Sequence, residues 1–337
     1  MTGCLCEEPR YRDGMRAVVV TEPGGVDALQ VVDRPAPEPG PGEVLINVAA
    51  AGVNRADLLQ RQGMYDPPPG ATDILGLECS GEIAAVGEGV TDFPLGTQVC
   101  ALLSGGGYAD QVVVPAGQVA NVPRGVSLIE AGALMEVAST VWSNVFMMGK
   151  LQSGDTVLLH GGGSGIGTMG IQLAKAFGAT VVTTVGSQAK ADFCRELGAD
   201  LVINYRDEDF VAVMRDRDVR ADVILDIIGA KYLEKNIAAL ATAGRLIVIG
   251  MQGGVKAELN LGSLLAKRAA VMATSLRARP SAEKAAIVSA MVAQVWPLVA
   301  DGTVRPIVHT TIPLDRVRDA HQVLEESSHT GKVLLTT

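Results

Sequence analysis

Between Arg16 and Val122 the apolar residues come in short runs broken by Gly and Pro: RAVVV, ALQVV, EVLINVAAAGV, SGEIAAVG, TQVCALL and ADQVVVP. Closely spaced runs rich in Val and Ile predict a compact β-rich lobe without helices. The intervening PAPEPGPGE and MYDPPPGA cannot supply the backbone donors of a central strand, so they are loops or pocket rims. After Pro123 the period lengthens. SLIEAGALMEVASTVWSNVFMMG has apolar positions at helical spacing and predicts one helix stopping at Gly149.

A regular alternation follows, with strands TVLLH, TVVTTV, LVINY, VILDII, LIVIG and VMATS separated by helical segments. Alternation of this kind implies parallel pairing through right-handed crossovers, hence a doubly wound sheet from about Val137 to Ser275. From Pro280 onward come a long helix, a strand near HTTIPL, the helix DRVRDAHQVLEES and the strand KVLLT. This tail is too short for a further doubly wound domain and is expected to complete the first lobe.

A length of 337 residues suits two lobes. Aromatics are only 4% of the chain, so the cores must be built from Ala, Val, Leu and Ile, as in α/β proteins with buried parallel strands. No apolar run is expected to reach the ~20 residues that cross a bilayer. Residues 1–14 lack the apolar core of a signal peptide and read as a solvated tail, with Met15 as an alternative start. Cys4, Cys6, Cys79, Cys100 and Cys194 are too scattered for a disulfide framework, which points to the reducing cytoplasm. The net charge of -9 argues against nucleic acid and anionic membranes and favours a small-molecule partner.

The strongest local chemistry lies in TVLLHGGGSGIGTMGIQLAKAFGA, where a buried strand runs into a glycine cluster and then an amphipathic helix. Such a turn lets backbone N–H groups at a helix N-terminus meet a pyrophosphate. The fingerprint falls on Gly162, Ser164 and Gly167, with Gly163, Gly165 and Ile166 contributing backbone; a literal match three residues later is the second choice. A nicotinamide dinucleotide is the expected ligand, and a flavin is the alternative. Sites that prefer NADH usually end the second strand with Asp or Glu. Here TVVTTV ends in Gly186, Ser187, Gln188, Ala189 and Lys190, and Tyr205 ends the next strand. A hydroxyl and a lysine suit a 2′-phosphate, so the expected cofactor is NADPH.

AAAGVNRADLLQRQGMYDPPPG, DILGLECSGEIAAVGEGVTDFPLGTQV, HGGGSGIG, VGSQAK, INYRDEDF, LDIIGA, SLRAR and GKVLL, in this order, resemble the medium-chain dehydrogenase/reductase superfamily. Within it the chain is similar to the zinc-free quinone oxidoreductase branch, close to the p53-inducible type. The resemblance implies an α/β protein with a doubly wound parallel Rossmann sheet at 137–275 and a discontinuous β-rich GroES-like catalytic domain at 15–136 and 276–337. Zinc-dependent members use cysteine and histidine ligands where this chain has Asn54 and Leu77, and the four-cysteine structural loop is absent after Cys100. His160, His309, His321 and His329 show no ligand spacing.

By the same resemblance Asn54 lies beside the nicotinamide, Thr140 near its ribose or carboxamide, and Ile228, Gly250, Met251 and Gly253 along the ring. Leu276, Arg277 and Lys332 would line the cofactor where the lobes meet. Tyr65 is the candidate for contacting the acceptor or donating a proton, with Asn54 as the second catalytic candidate. Glu78 and Asp226 read as structural carboxylates. The expected reaction is hydride transfer to a quinone or similar electrophile, by one or two electrons. Reduction of an enoyl thioester or alkenal, or NADPH binding without catalysis, are the alternatives. The edge strand near VMATS is expected to pair two copies into a homodimer.

Overall fold

The computed structural model describes residues 14–337; the tail read at 1–14 lies outside the described residues except for Gly14. The amino-terminal strands are β1 (Gly14–Val20), β2 (Leu29–Pro35), β3 (Glu43–Val53), β4 (Glu78–Val86), β5 (Gln98–Leu102), β6 (Gln111–Pro115) and β7 (Val119–Asn121). Then come β8 (Thr156–His160), β9 (Thr180–Val185), β10 (Leu201–Asn204), β11 (Ala221–Asp226), β12 (Leu240–Val248) and β13 (Ala270–Ala273). The last two are β14 (Val308–Pro313) and β15 (Lys332–Thr336).

β1 and β2 form a hairpin, and a seven-stranded sheet runs β14-β15-β3-β4-β5-β7 with β6 added on β3. The 11-residue β3 organises this sheet. Along one edge Glu43–Asn47 pair with β6 and then Ala50–Val53 pair with β15, while β4 follows the other edge with two register shifts. The carboxy-terminal strand is thereby brought beside the end of β3, where the candidate residues begin.

The second sheet is wholly parallel, in the order β10-β9-β8-β11-β12-β13. Its order reverses between β8 and β11, and a crevice beyond the carboxyl ends of strands at such a reversal is the general ligand position of doubly wound sheets. One face packs Leu158, Val182, Ile203, Phe210, Ile224 and Leu246. The other packs Val157, Leu159, Val181 and Ile171 in a core that also takes Cys100, Leu102 and Ala120 from the first lobe. That shared core joins the two lobes.

Three expectations need correction. The amino-terminal lobe does contain a helix, Arg55–Arg61, which is too short to show a clear period. The single helix expected up to Gly149 is broken: Leu128–Ala131 and Met135–Val141 are α-helical, and Trp142–Met148 is π-helical, closing with Gly149 N–H to Asn144 O at 2.8 Å. The break has a tertiary cause, because the Glu136 N–H is drawn to Glu78 Oε2 at 2.9 Å instead of into a preceding turn. Finally, Ser281–Ala300, 20 residues of mean hydropathy 1.2, is long and apolar enough by length and composition to cross a membrane. Glu283 and Lys284 near its start obscured this. In the fold Val288, Met291, Val295 and Val299 from this helix pack into the shared core.

Candidate active site

β8 ends at His160, whose ring is fixed between Thr184 Oγ1 at 3.0 Å and Asn236 Oδ1 at 2.7 Å. The chain then turns through Gly161, with φ of +78°. Ser164 caps the helix Gly165–Ala176: its hydroxyl donates to Gly161 O at 2.7 Å and accepts from Gly167 N–H at 3.0 Å. Serine therefore stands at the middle fingerprint position because a side-chain cap, rather than bare backbone, closes the turn. A Cβ on Gly162 would strike the Thr183 hydroxyl, and one on Gly167 would strike the Gly161 carbonyl. Among the described residues the N–H groups of Gly163 and Ile166 find no acceptor, while that of Gly165 is engaged by the parallel bridge between Ser164 and Gly331. A cradle of free N–H groups at a helix N-terminus fits a pyrophosphate.

This turn forms one wall of a cavity of about 430 Å³ between the lobes. Of the residues selected from sequence, Asn54, Gly163, Ser164, Gly165, Ile166, Gly186, Lys190, Tyr205, Ile228, Gly253 and Lys332 line it. Gly162 and Gly167 lie behind the turn, and Thr140, Ser187, Gly250, Met251, Leu276, Arg277 and Tyr65 are not on the wall. The lining carries Arg55, Lys190, Lys231 and Lys332 and, among the described residues, no Asp or Glu. Lys332 is neutralised by Glu78 behind the wall, so Arg55, Lys190 and Lys231 make this cavity a local anion site in a chain of net charge -9. Arg55, Lys231, Gln252 and His329 were not selected from the sequence; Arg55 stands next to Asn54 in a quoted motif but has no spacing that marks it, and it is the fold that brings all four to the wall.

At the β9 end of the cavity Ser187 caps the helix Gln188–Glu196, accepting from Lys190 N–H at 3.3 Å. The Lys190 stem crosses Gly163, its ammonium donates to Ser327 O at 2.6 Å, and burial followed by the nearby Arg206 lowers its pKa. Tyr205 lies over Gly186, where a Cβ would collide with the phenol oxygen.

At the opposite end the side chains lock one another. Lys332 Nζ donates to Asn54 Oδ1 at 2.6 Å and Val53 O at 3.0 Å, and pairs with Glu78 Oε1 at 2.7 Å. Asn54 Nδ2 donates to Glu78 Oε1 at 3.1 Å and Gly52 O at 3.2 Å, so the amide orientation is fixed. Asp57 accepts from Asn54 N–H at 2.8 Å, Gly76 N–H at 3.1 Å and the Tyr108 hydroxyl at 3.0 Å, while burial pushes its pKa up to about 6. Glu78 thus does more than tie loops together: it orients both Asn54 and Lys332. Leu77 is buried, and among the described residues no group of three or more His, Cys, Asp or Glu side chains is placed to hold a metal ion.

Tyr65 stands apart from this cluster. Its hydroxyl meets Ser275 Oγ at 3.0 Å and the Arg277 guanidinium lies 5.3 Å from its ring centroid, a cation–π contact. Arg277 is buried and bonds Ser104 O and Gln60 Oε1, each at 2.8 Å. Asp226 accepts from Ile228 N–H at 2.6 Å and Gly229 N–H at 3.0 Å, holding the loop after β11 as its structural reading anticipated.

A parallel sheet bearing this glycine turn, facing a β-rich lobe across an anion-binding cleft, defines a two-lobed oxidoreductase. Residues 165–293 match the family model for zinc-binding dehydrogenases, and residues 40–124 match the alcohol dehydrogenase GroES-like domain. The human synaptic vesicle membrane protein VAT-1 homolog is 31% identical over 95% of this chain and 86% of its own length. The structure of mycobacterial Rv1454c complexed with NADPH superposes with a TM-score of 0.86 at 31% identity, covering 96% of this chain and 100% of that one. Escherichia coli quinone oxidoreductase complexed with NADPH gives 0.84 at 27% identity, with the same coverage. The chain belongs to the medium-chain dehydrogenase/reductase superfamily, in its quinone oxidoreductase branch.

Proposed function

We propose that the chain is an NADPH-dependent quinone oxidoreductase that works without a metal ion. The observation that carries this reading is the cleft lining: free N–H groups of Gly163 and Ile166 at a helix N-terminus, the side chains of Arg55, Lys190 and Lys231, and, among the described residues, no Asp or Glu on the wall. NADH would find no acid for its ribose hydroxyls, whereas a 2′-phosphate would find Lys190 and Tyr205 on the wall, with Ser187 capping the helix that carries Lys190. The NADPH-bound relatives support the same choice. Bound here, the cofactor would supply a hydride. Asn54, locked by Lys332 and Glu78, would border the nicotinamide end, and Gly253 and Ile228 would flank the ring.

Tyr65 is proposed to receive the flat acceptor on the ring that Arg277 backs, at the rim rather than inside the cleft. The lobes are assigned as 15–136 with 276–337 for the acceptor and 137–275 for the cofactor. A cytoplasmic homodimer, with β13 and the exposed leucines beside it at the twofold axis, completes the reading. An acceptor panel tests the reading. Metal-stripped protein is expected to oxidise NADPH faster with a naphthoquinone than with a 2-enoyl thioester. The opposite order favours a double-bond reductase, and no turnover with any electrophile favours a binding protein.

A further inference from the structure

The loop that joins the helix Val317–Glu325 to β15 comes from the β-rich lobe yet is fastened to the cofactor lobe at two points. Lys190 Nζ donates to Ser327 O at 2.6 Å, and Gly331 N–H donates to Gly163 O at 2.9 Å beside the bridge between Ser164 and Gly331. His329 stands between these fastenings and lines the cleft together with Ser327, Gly331, Lys190 and Arg55. Its Nδ1 meets Val323 O at 3.2 Å; a carbonyl oxygen only accepts, so Nδ1 carries the hydrogen and Nε2 is the bare nitrogen of the neutral ring. Among the described residues Nε2 takes no hydrogen bond, and it is not a buried unpartnered atom, so solvent reaches it. Val323 is off the cleft wall, which leaves Nε2 as the ring nitrogen available to the cleft. The titratable groups facing the ring are Lys190 from the helix Gln188–Glu196, His309 from β14, whose centroid is 6.4 Å away, and Arg55 from the helix Arg55–Arg61. All three are basic. Glu325 and Glu326, the acids nearest along the chain, bond Arg61 and Gln322 instead. Two cations and a bare imidazole nitrogen on one stretch of wall make a place for a phosphate dianion.

We propose that His329 is a further ligand of the cofactor's 2′-phosphate, its Nε2 taking up a proton from solvent as NADPH binds and donating it in a hydrogen bond to a phosphate oxygen. This rests on the NADPH reading above, which gives the same phosphate Lys190 and Tyr205. Before NADPH arrives, burial and then the neighbouring bases push the pKa of the ring down to about 4, so it is neutral and has nothing to donate toward the cleft. A dianion placed among those bases reverses the balance, because it favours imidazolium over imidazole. The Nδ1 bond to Val323 is satisfied in both states and holds the ring in place while Nε2 gains its hydrogen. The bound form therefore carries one more proton than the free form, and affinity for NADPH rises as pH falls from about 8.5 to about 6.5, a window above the second phosphate ionisation near about 6. NADH brings a hydroxyl in place of the phosphate and leaves the ring neutral.

Titrations of the full chain with NADPH and with NADH at about pH 6.5 and about pH 8.5, read by cofactor fluorescence, test this. Wild-type protein is expected to bind NADPH about tenfold more tightly at the lower pH, with NADH unchanged within about twofold. His329→Asn keeps an N–H for Val323 but cannot take up a proton; it should flatten the pH dependence and weaken NADPH about tenfold at about pH 6.5, sparing NADH. The Cε1–H proton resonance of His329, one of four histidines, gives a readout independent of affinity once assigned by its absence from the variant. At about pH 6.5 it should move to the imidazolium position with NADPH and stay in place with NADH. An unmoved resonance, or NADPH binding in wild type that does not change with pH, overturns the proposal; a preference for NADPH that persists leaves the cofactor reading intact. Equal weakening of both dinucleotides in His329→Asn also overturns it, because the ring would then serve the pyrophosphate that they share. If His329→Asn fails to fold, His329→Gln supplies the assignment and the wild-type resonance decides. A wild-type protein that prefers NADPH at neither pH removes the reading and the ligand with it.

Discussion

Lys332 and Glu78 show how one residue pair can govern both stability and site geometry. Both are buried and 2.7 Å apart, so neutralising one leaves the other charged in a poorly solvated interior. Lys332→Met is expected to cost about 3–5 kcal/mol in urea denaturation, the penalty of an orphaned buried charge; a loss below about 1 kcal/mol would contradict this role of the pair. His321 makes a pH prediction. Burial, then Arg61, pushes its pKa down to about 3, so it is neutral in the fold, whereas an unfolded histidine takes a proton below about 6.5. Its contribution is therefore present above about 6.5 and is lost as pH falls through that window toward 3. Replacing it by Phe, beside Tyr108, should stabilise the protein relative to wild type more at about pH 5 than at about pH 7.5. Equal differences at the two pH values in denaturation midpoints would rule this out.

Lengthening the view to elements, the strand, turn and helix from Thr156 were legible because everything that shapes them is local: buried apolar positions, glycine clearance and a serine cap. The two fingerprint registers separate by substitution. Gly162→Ala pushes a Cβ into Thr183 and should cost about 1–3 kcal/mol and weaken NADPH binding, read by denaturation and cofactor fluorescence. Gly170→Ala meets only the end of the Leu159 side chain, at 3.0 Å, and should be mild. The helix ending at Gly149 was read too long because its break answers to Glu78 on β4, 58 residues away. For the same reason Arg55 went unnoticed while Asn54 did not: it reaches the cleft through what β3, β4 and β15 bring together. Tyr65 was selected from its Pro-rich loop, and only the fold shows it bonded to Ser275 and off the cleft wall.

At the scale of the molecule, an open edge and an uncovered helix lie together. Among the described residues β13 has no partner on its outer side, and none of the residues of the helix Leu261–Lys267 is buried, with Leu261 68% and Leu265 80% exposed. Apolar side chains so exposed beside a free strand suit burial by a second copy. Leu265→Glu should shift a dimer toward monomer in light scattering at micromolar concentration; wild-type protein that is already monomeric would remove the dimer. The cleft gives the most direct test. Chelator-treated protein, given a naphthoquinone and either NADPH or NADH, should show kcat/KM at least about tenfold higher for NADPH, and Lys190→Ala should erase most of that preference. Equal or higher kcat/KM with NADH, or turnover that returns only when zinc is restored, would contradict an NADPH-reading, metal-independent site.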